Sequence, residues 1–214
     1  MLVFGHTGIT LGVAVLVSGV CYRRCQQTGA HNRIEEYSGD AAAFTSAKEY
    51  DSGNIVSWVK ALGRHVDIRL LLVASLLPDI IDKPLGMFIF RETFSSGRIF
   101  CHTLLFLILL TIAGVWLYRS RGKLWMLVIS FGVLTHIIFD RMWCHYETVL
   151  WPGFGFAFKR MELTDWEMQR LEDLFSLPSI YVPEIVGILI LLWFTWVLVR
   201  NGSFQAFIKS GRVS

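Results

Sequence analysis

Five apolar stretches divide this chain, and four of them carry, or end on, a histidine or an aspartate: His6, Asp79, His102, His136 and Asp140. The stretches are Leu2–Val20, Ile68–Ile81, Ile99–Tyr118, Leu124–Phe139 and Ile180–Val199. Such a pattern leaves few folds open. A helix needs about 20 apolar residues to cross the hydrocarbon core, and helices satisfy their own backbone polar groups there. Ionisable groups in such stretches are costly and mark functional sites by default.

Composition agrees with a life in lipid. Of 214 residues, 54% are hydrophobic and 17% charged, with a mean hydropathy of +0.51; soluble domains sit near 45–50% apolar. The expected fold is all-α: a polytopic integral membrane protein with about five transmembrane or membrane-embedded helices and short amphipathic surface helices, forming one domain over 1–214. The second and fourth stretches fall short of a full span. Pro78 and Pro84 both break helices, so the second is expected to stop inside the membrane. Gly8 and Gly12 have the spacing that lets helices pack closely in lipid. No basic stretch precedes Leu2, so the first segment reads as an anchor and not a cleaved signal. No nucleic-acid motif is present.

Two polar stretches separate the segments. Residues 21–67 form a polar insertion whose later half puts Ile55, Trp58, Val59 and Leu62 on one side, as in an amphipathic surface helix. Residues 141–179 form a second loop. There Thr164-Asp165-Trp166-Glu167 has the form of a capping box opening another amphipathic helix, with Trp166, Leu171, Leu174 and Phe175 on its apolar side.

Charge orients the chain. Threading the five segments in alternation puts 21–67, the 119–123 loop and the C-terminal tail on one side, and that side, with Arg69, holds thirteen of the twenty Lys and Arg. The positive-inside rule makes it cytoplasmic, so the N-terminus is outside and the C-terminus inside. The same threading brings His6, Asp79, Asp82, His102, His136 and Asp140 to the outer face. His31 and His65 fall among solvated charges on the opposite side.

The residue types suit a divalent cation. His136 and Asp140 are four apart and share a helix face. Neutral imidazole favours zinc and similar metals, and carboxylates offset the cation's charge. Asp79 and Asp82, three apart, can flank the same ion, and His6 and His102 complete the set. A catalytic zinc site keeps a position for water, whose pKa falls to about 7. Asp82 and Glu184 are the candidates for a general base.

The motifs also resemble a known family. Gly5-His6-Thr7-Gly8, Leu77-Pro78-Asp79-Ile80-Ile81-Asp82, Arg98 followed by Cys101-His102-Thr103, Thr135-His136-xxx-Asp140 and Leu150-Trp151-Pro152 are similar, in order, to the YdjM-like membrane-bound, metal-dependent hydrolases, which are distantly similar to zinc-dependent phospholipase C. The resemblance covers roughly residues 1–200 apart from the 21–67 insertion. It implies His6, Asp79, His102, His136 and Asp140 as metal residues, zinc as the first cofactor to test, and the inner membrane of a prokaryote as the location. Gly97 stands where many family members carry a histidine before the arginine of the third motif.

Other readings remain beside this one. His136 suits an interhelical hydrogen bond, Asp79 and Asp82 a helix end at the interface, His6 the headgroup level, His145 a surface loop, and Glu184 an interfacial carboxylate. Cys101 and Cys144 fall on the same side, bridged or free. As a whole, the chain reads as a hydrolase in which metal-activated water attacks a phosphate or acyl ester of a small or lipid-like amphiphile at the outer face. The alternative is a non-catalytic metal-binding or interaction protein of the envelope. A transporter ranks last, because the cytoplasmic segment ends lack histidine and paired carboxylates.

Overall fold

The computed structural model describes residues 3–36, 55–158, 160, 172 and 174–213, with side chains of the first range described up to residue 24. The capping box at 164–167 and residues 37–54 of the polar insertion lie outside the described residues. Every regular element described is helical. In chain order these are α1 (Val3–Glu36), α2 (Ile55–His65), α3 (Ile68–Ala74), α4 (Leu77–Lys83), α5 (Leu104–Arg121), α6 (Trp125–Phe139), α7 (Tyr146–Val149), α8 (Pro178–Arg200) and α9 (Phe204–Ser210). Short π- and 3-10-helical turns follow α4 and precede α5 and α7.

Among the described residues three helices, fewer than the five expected, are long and apolar enough to cross a membrane: Val3–Arg24, Leu104–Arg121 and Pro178–Arg200. Trp125–Phe139 passes only together with Met142–Val149, from which it is bent by 77°. The bend follows Arg141, which adopts a left-handed backbone (φ 53°) directly after Asp140. The expected second span is two short helices. α3 stops at Ala74, and α4 restarts at Leu77 with Pro78 in its first turn, where a missing N–H costs nothing. Pro84 ends α4 in turn, and a π-helical turn carries the chain on to Ile89.

α1 lies beside α8, and both start at the same end of the molecule. Their backbones touch: a Cβ on Gly8 would overlap the Gly187 carbonyl, and one on Gly187 the Phe4 carbonyl. Small residues make this approach possible, as small-residue stripes do in lipid. α6 approaches α3 in the same way at Gly132, where a Cβ would lie 2.7 Å from the Ala74 Cβ and 2.9 Å from the Ser75 nitrogen. Hydroxyls fasten the bundle further. Thr10 and Thr135 are hydrogen-bonded at 2.9 Å between α1 and α6, and Thr111 and Ser130 at 2.5 Å between α5 and α6.

The end away from His6 is closed by an apolar cluster of Leu11, Val15, Val59, Leu62, Ile68 and Leu71 with Phe194 and Leu198. α2 therefore turns Val59 and Leu62 into the protein and not toward lipid, as a surface helix would. Asp67 caps α3 by accepting from the Arg69 and Leu70 amides. Arg69, bonded to Asp67 and to the Ile208 carbonyl, holds the Asp67 carboxyl below its ordinary pKa. By contrast, the outer faces of α5 and α8 are bare and apolar: Leu109, Ile112 and Trp116 on one, Leu189, Leu192 and Trp196 on the other. Exposed apolar surface of this extent belongs against lipid tails.

Candidate metal centre

The breaks and close contacts described above bring five polar side chains to one point. His6 stands in the second turn of α1 and Asp79 near the start of α4. His102 ends the 3-10 turn Phe100–His102, and Thr103 then caps α5 by accepting from the Phe106 amide. The third apolar stretch, Ile99–Tyr118, is thus not one helix: His102 sits in a separate turn ahead of α5. His136 lies in the last turn of α6 and Asp140 caps that helix.

All five expected ligands meet. His6, Asp79 and His136 form one set with ligand atoms within 4.8 Å of one another, and His102, His136 and Asp140 form a second that shares His136. The His102 and His136 Nε2 atoms are 3.3 Å apart. Asp79 Oδ1 lies 3.6 Å from His102 Nε2 and 3.8 Å from His136 Nε2, and Asp140 Oδ1 lies 3.7 Å from His6 Nε2. The His6 ring stacks on that of His136 with centroids 4.1 Å apart. All three histidines are fully buried.

The tautomers follow from the partners. His136 Nδ1 is 2.7 Å from the Ser75 carbonyl oxygen, which can only accept, so Nδ1 carries the proton. That carbonyl is in reach because α3 ends at Ala74 and Gly132 lets α6 approach it. His102 Nδ1 is 2.7 Å from Asp82 Oδ2 and donates to it. Both Nε2 lone pairs then point into the same space. Two nitrogens bound at about 2.05 Å to one tetrahedral zinc lie about 3.3 Å apart, which is the separation seen. His6 adds a further vacancy in bonding: among the described residues neither of its ring nitrogens has a hydrogen-bond partner. Leaving such a buried group unpaired costs roughly 1–3 kcal/mol. The donor set, imidazoles with carboxylates, therefore fits a divalent cation of the zinc type.

A supporting layer surrounds the cluster. Asp82 is fully buried and also accepts from the Ile99 and Cys101 amides, so its carboxylate is committed to the turn that carries His102. Glu184 of α8 accepts from the Gly5 amide, fixing the start of α1 next to His6. Arg98 donates to Asp140 Oδ2 through Nε at 2.8 Å and reaches the same oxygen with a terminal nitrogen at 2.7 Å. Its other terminal nitrogen meets His145 Nε2 at 3.2 Å. Lys83 pairs with Asp79 Oδ2 at 2.7 Å. Trp151, from the Leu-Trp-Pro motif, stacks on Phe158 and meets Phe100 edge-on, which seats the His102 turn. Cys101 and Cys144 are both free. The Asp82 and Ser75 contacts were not foreseen from sequence. Lys83 was visible as an i, i+4 partner of Asp79.

Residues 39–206 match the model of the YdjM inner membrane protein family. The chain belongs to that family. The matched stretch contains Asp79, Asp82, Arg98, His102, His136 and Asp140, and it runs through part of the region that the motif comparison had set apart. His6 lies ahead of it and joins the other four through the fold alone. An inner membrane protein is what the three long apolar helices describe as well. Comparison with curated proteins and with solved structures gives no match.

Proposed function

We propose that this YdjM family member is a metal-dependent hydrolase of the inner membrane, with His6, Asp79, His102, His136 and Asp140 holding one divalent cation, zinc first. The Lys/Arg distribution favours the outer face for the centre, with the N-terminus outside and the C-terminus inside. The observation that carries the reading is the 3.3 Å approach of two histidine Nε2 atoms whose Nδ1 protons are already committed.

The chain's own residues divide the work. Ser75 and Asp82 fix the tautomers and ring orientations of His136 and His102, as the outer partners of ligating histidines do. Asp79 and Asp140 supply negative charge against a buried cation. A divalent cation in this place supplies Lewis acidity toward a phosphoryl or acyl oxygen and toward a water molecule. Arg98, about a quarter exposed, and the half-buried Asp79 mark the side from which a substrate enters. The substrate is an ester of a small or lipid-like amphiphile, delivered from the bilayer.

One observation favours a second reading. Asp82 and Glu184, the two base candidates, are both buried and accept from backbone amides, as positioning residues do. A metal-holding envelope protein without turnover has the same geometry. Metal analysis of the detergent-purified chain, with a screen of phosphodiester, phosphomonoester and acyl-ester substrates, separates the cases. Stoichiometric metal that is lost in His136→Ala, with hydrolysis lost alongside, supports the hydrolase. Stoichiometric metal with no turnover supports the second reading. A chain that takes up no transition metal refutes both.

A further inference from the structure

The two site carboxylates are arranged alike. Each turns Oδ1 toward the histidines and Oδ2 toward a side-chain cation: Asp79 toward Lys83 and Asp140 toward Arg98. The two cations come together at their bases. Gly97 precedes Arg98, and a Cβ there would lie 3.4 Å from Lys83 Cγ and 3.2 Å from Met87 Sδ, so the Lys83 stem runs past the base of Arg98. Both are part-exposed, Lys83 by 39% and Arg98 by 23%, while the three histidines behind them are fully buried.

Charge changes sign at these two cations. Asp79, Asp82 and Asp140 bring three negative charges, and Lys83 and Arg98 two positive ones. With neutral imidazoles the group carries one net negative charge. A divalent cation makes it one net positive, beside two N–H donors whose valence is not filled. Lys83 has three N–H bonds and uses one on Asp79, while Arg98 has five and divides them between Asp140 and His145. A cluster that only balanced its three carboxylates would reach neutrality with the metal and one side-chain cation and would not need both.

We infer that Lys83 and Arg98 form an anion-receiving rim on the metal centre, that it takes a tetrahedral phosphoryl group, and that the substrate is a phosphate ester and not a neutral acyl ester. The inference rests on the metal reading above. A planar guanidinium and an ammonium on either side of a cation match the several oxygens of a phosphoryl group. A neutral ester offers only one weak acceptor to the same donors.

Calorimetric titration of the full chain in detergent tests this, in metal-loaded and metal-stripped forms. Inorganic phosphate is one probe and dihexanoyl phosphatidate, a soluble phospholipid, the other. Phosphate is expected to bind the loaded protein and not the stripped one. Lys83→Gln and Arg98→Gln should each weaken it about tenfold or more, with metal content in Lys83→Gln unchanged. Should Arg98→Gln fail to fold, Lys83→Gln carries the test, since its side chain is exposed enough to be replaced. Tighter binding of the phosphatidate assigns the rim to a lipid headgroup, and equal binding to a soluble phosphate ester. A chain that takes up no metal fails the reading of the centre itself. A chain that takes up metal but binds phosphate no better than its stripped form, or no better than Lys83→Gln, overturns the anion rim alone.

Discussion

His102 and His136 face each other through their Nε2 atoms at 3.3 Å, and each has its Nδ1 proton held from behind, one by Asp82 and the other by the Ser75 carbonyl. Two lone pairs set against each other in a buried space repel unless something positive lies between them. The supporting contacts are thus spent on an arrangement that is unfavourable by itself and favourable around a cation.

Stability should therefore depend on metal. With free zinc at about 100 times its dissociation constant, binding to the folded state alone contributes about 2.7 kcal/mol. For a chain of this size that is a rise in Tm of about 5–10 °C. Thermal scans of intrinsic fluorescence in detergent, with zinc and with a chelator, measure the difference. Identical curves under both conditions would count against the centre.

Asp82 and Asp79 should separate by role. Asp82 touches the cluster only through His102, so Asp82→Asn removes the acceptor that fixes that ring. Losing such an outer partner lowers metal affinity about 10- to 100-fold, yet the site still fills at saturating metal. Asp79→Asn removes an oxygen that faces two histidines, and stoichiometric binding should be lost at any practical concentration. Equilibrium dialysis with zinc compares them. Equal loss in both variants would make Asp82 a ligand and not a support.

Much of the centre was legible in the chain because it rests on short spacings. His136 and Asp140, and likewise Asp79 and Lys83, are one helical turn apart in sequence and in space. The meeting of His6 and His102 with them followed from alternation of apolar segments, which fixes ends without fixing contacts. The outer layer was not legible. No residue pattern tells that the Ser75 carbonyl is open to His136, because that depends on where α3 stops and on how near Gly132 lets α6 come. Asp82 read as a base because its spacing from Asp79 gave its helix face but not its partner, the turn at 99–102. Three of the five expected membrane segments are full spans among the described residues, and the other two are short for a related reason. Apolar content sums over a stretch, whereas Pro78 and Arg141 break the second and fourth stretches into pieces that hydropathy alone joins.

The orientation is open to labelling. Cys144 is exposed and lies close to the centre in sequence, four residues past Asp140. Lys123 lies in the exposed turn between α5 and α6 at the opposite end. A membrane-impermeant maleimide should label Cys144 in intact spheroplasts. Lys123→Cys, placed in a chain with its native cysteines replaced by serine, should be labelled only after lysis. Labelling of both from the same side would remove the topology on which the outer-face assignment depends.

The last prediction concerns how His6, alone among the five in lying ahead of the family match, is held in place. Its helix contacts α8 backbone to backbone at Gly8 and Gly187, and three residues before Gly187 the Glu184 carboxylate takes the Gly5 amide. No side chain fits between the helices at Gly187, and a Cβ there meets backbone atoms that cannot rotate away. Gly187→Ala must therefore push α1 outward, at a cost of about 1–3 kcal/mol as for other overpacked sites, and carry His6 out of reach of Asp140. Leu192→Ala is the control, since Leu192 is 61% exposed on the bare face of the same helix. It should change stability by no more than about 0.5 kcal/mol. Metal affinity and Tm should fall together in Gly187→Ala and stay near wild type in Leu192→Ala. If Gly187→Ala loses stability but keeps full metal affinity, His6 is packing against His136 and not binding the ion, and the centre contracts to Asp79, His102, His136 and Asp140.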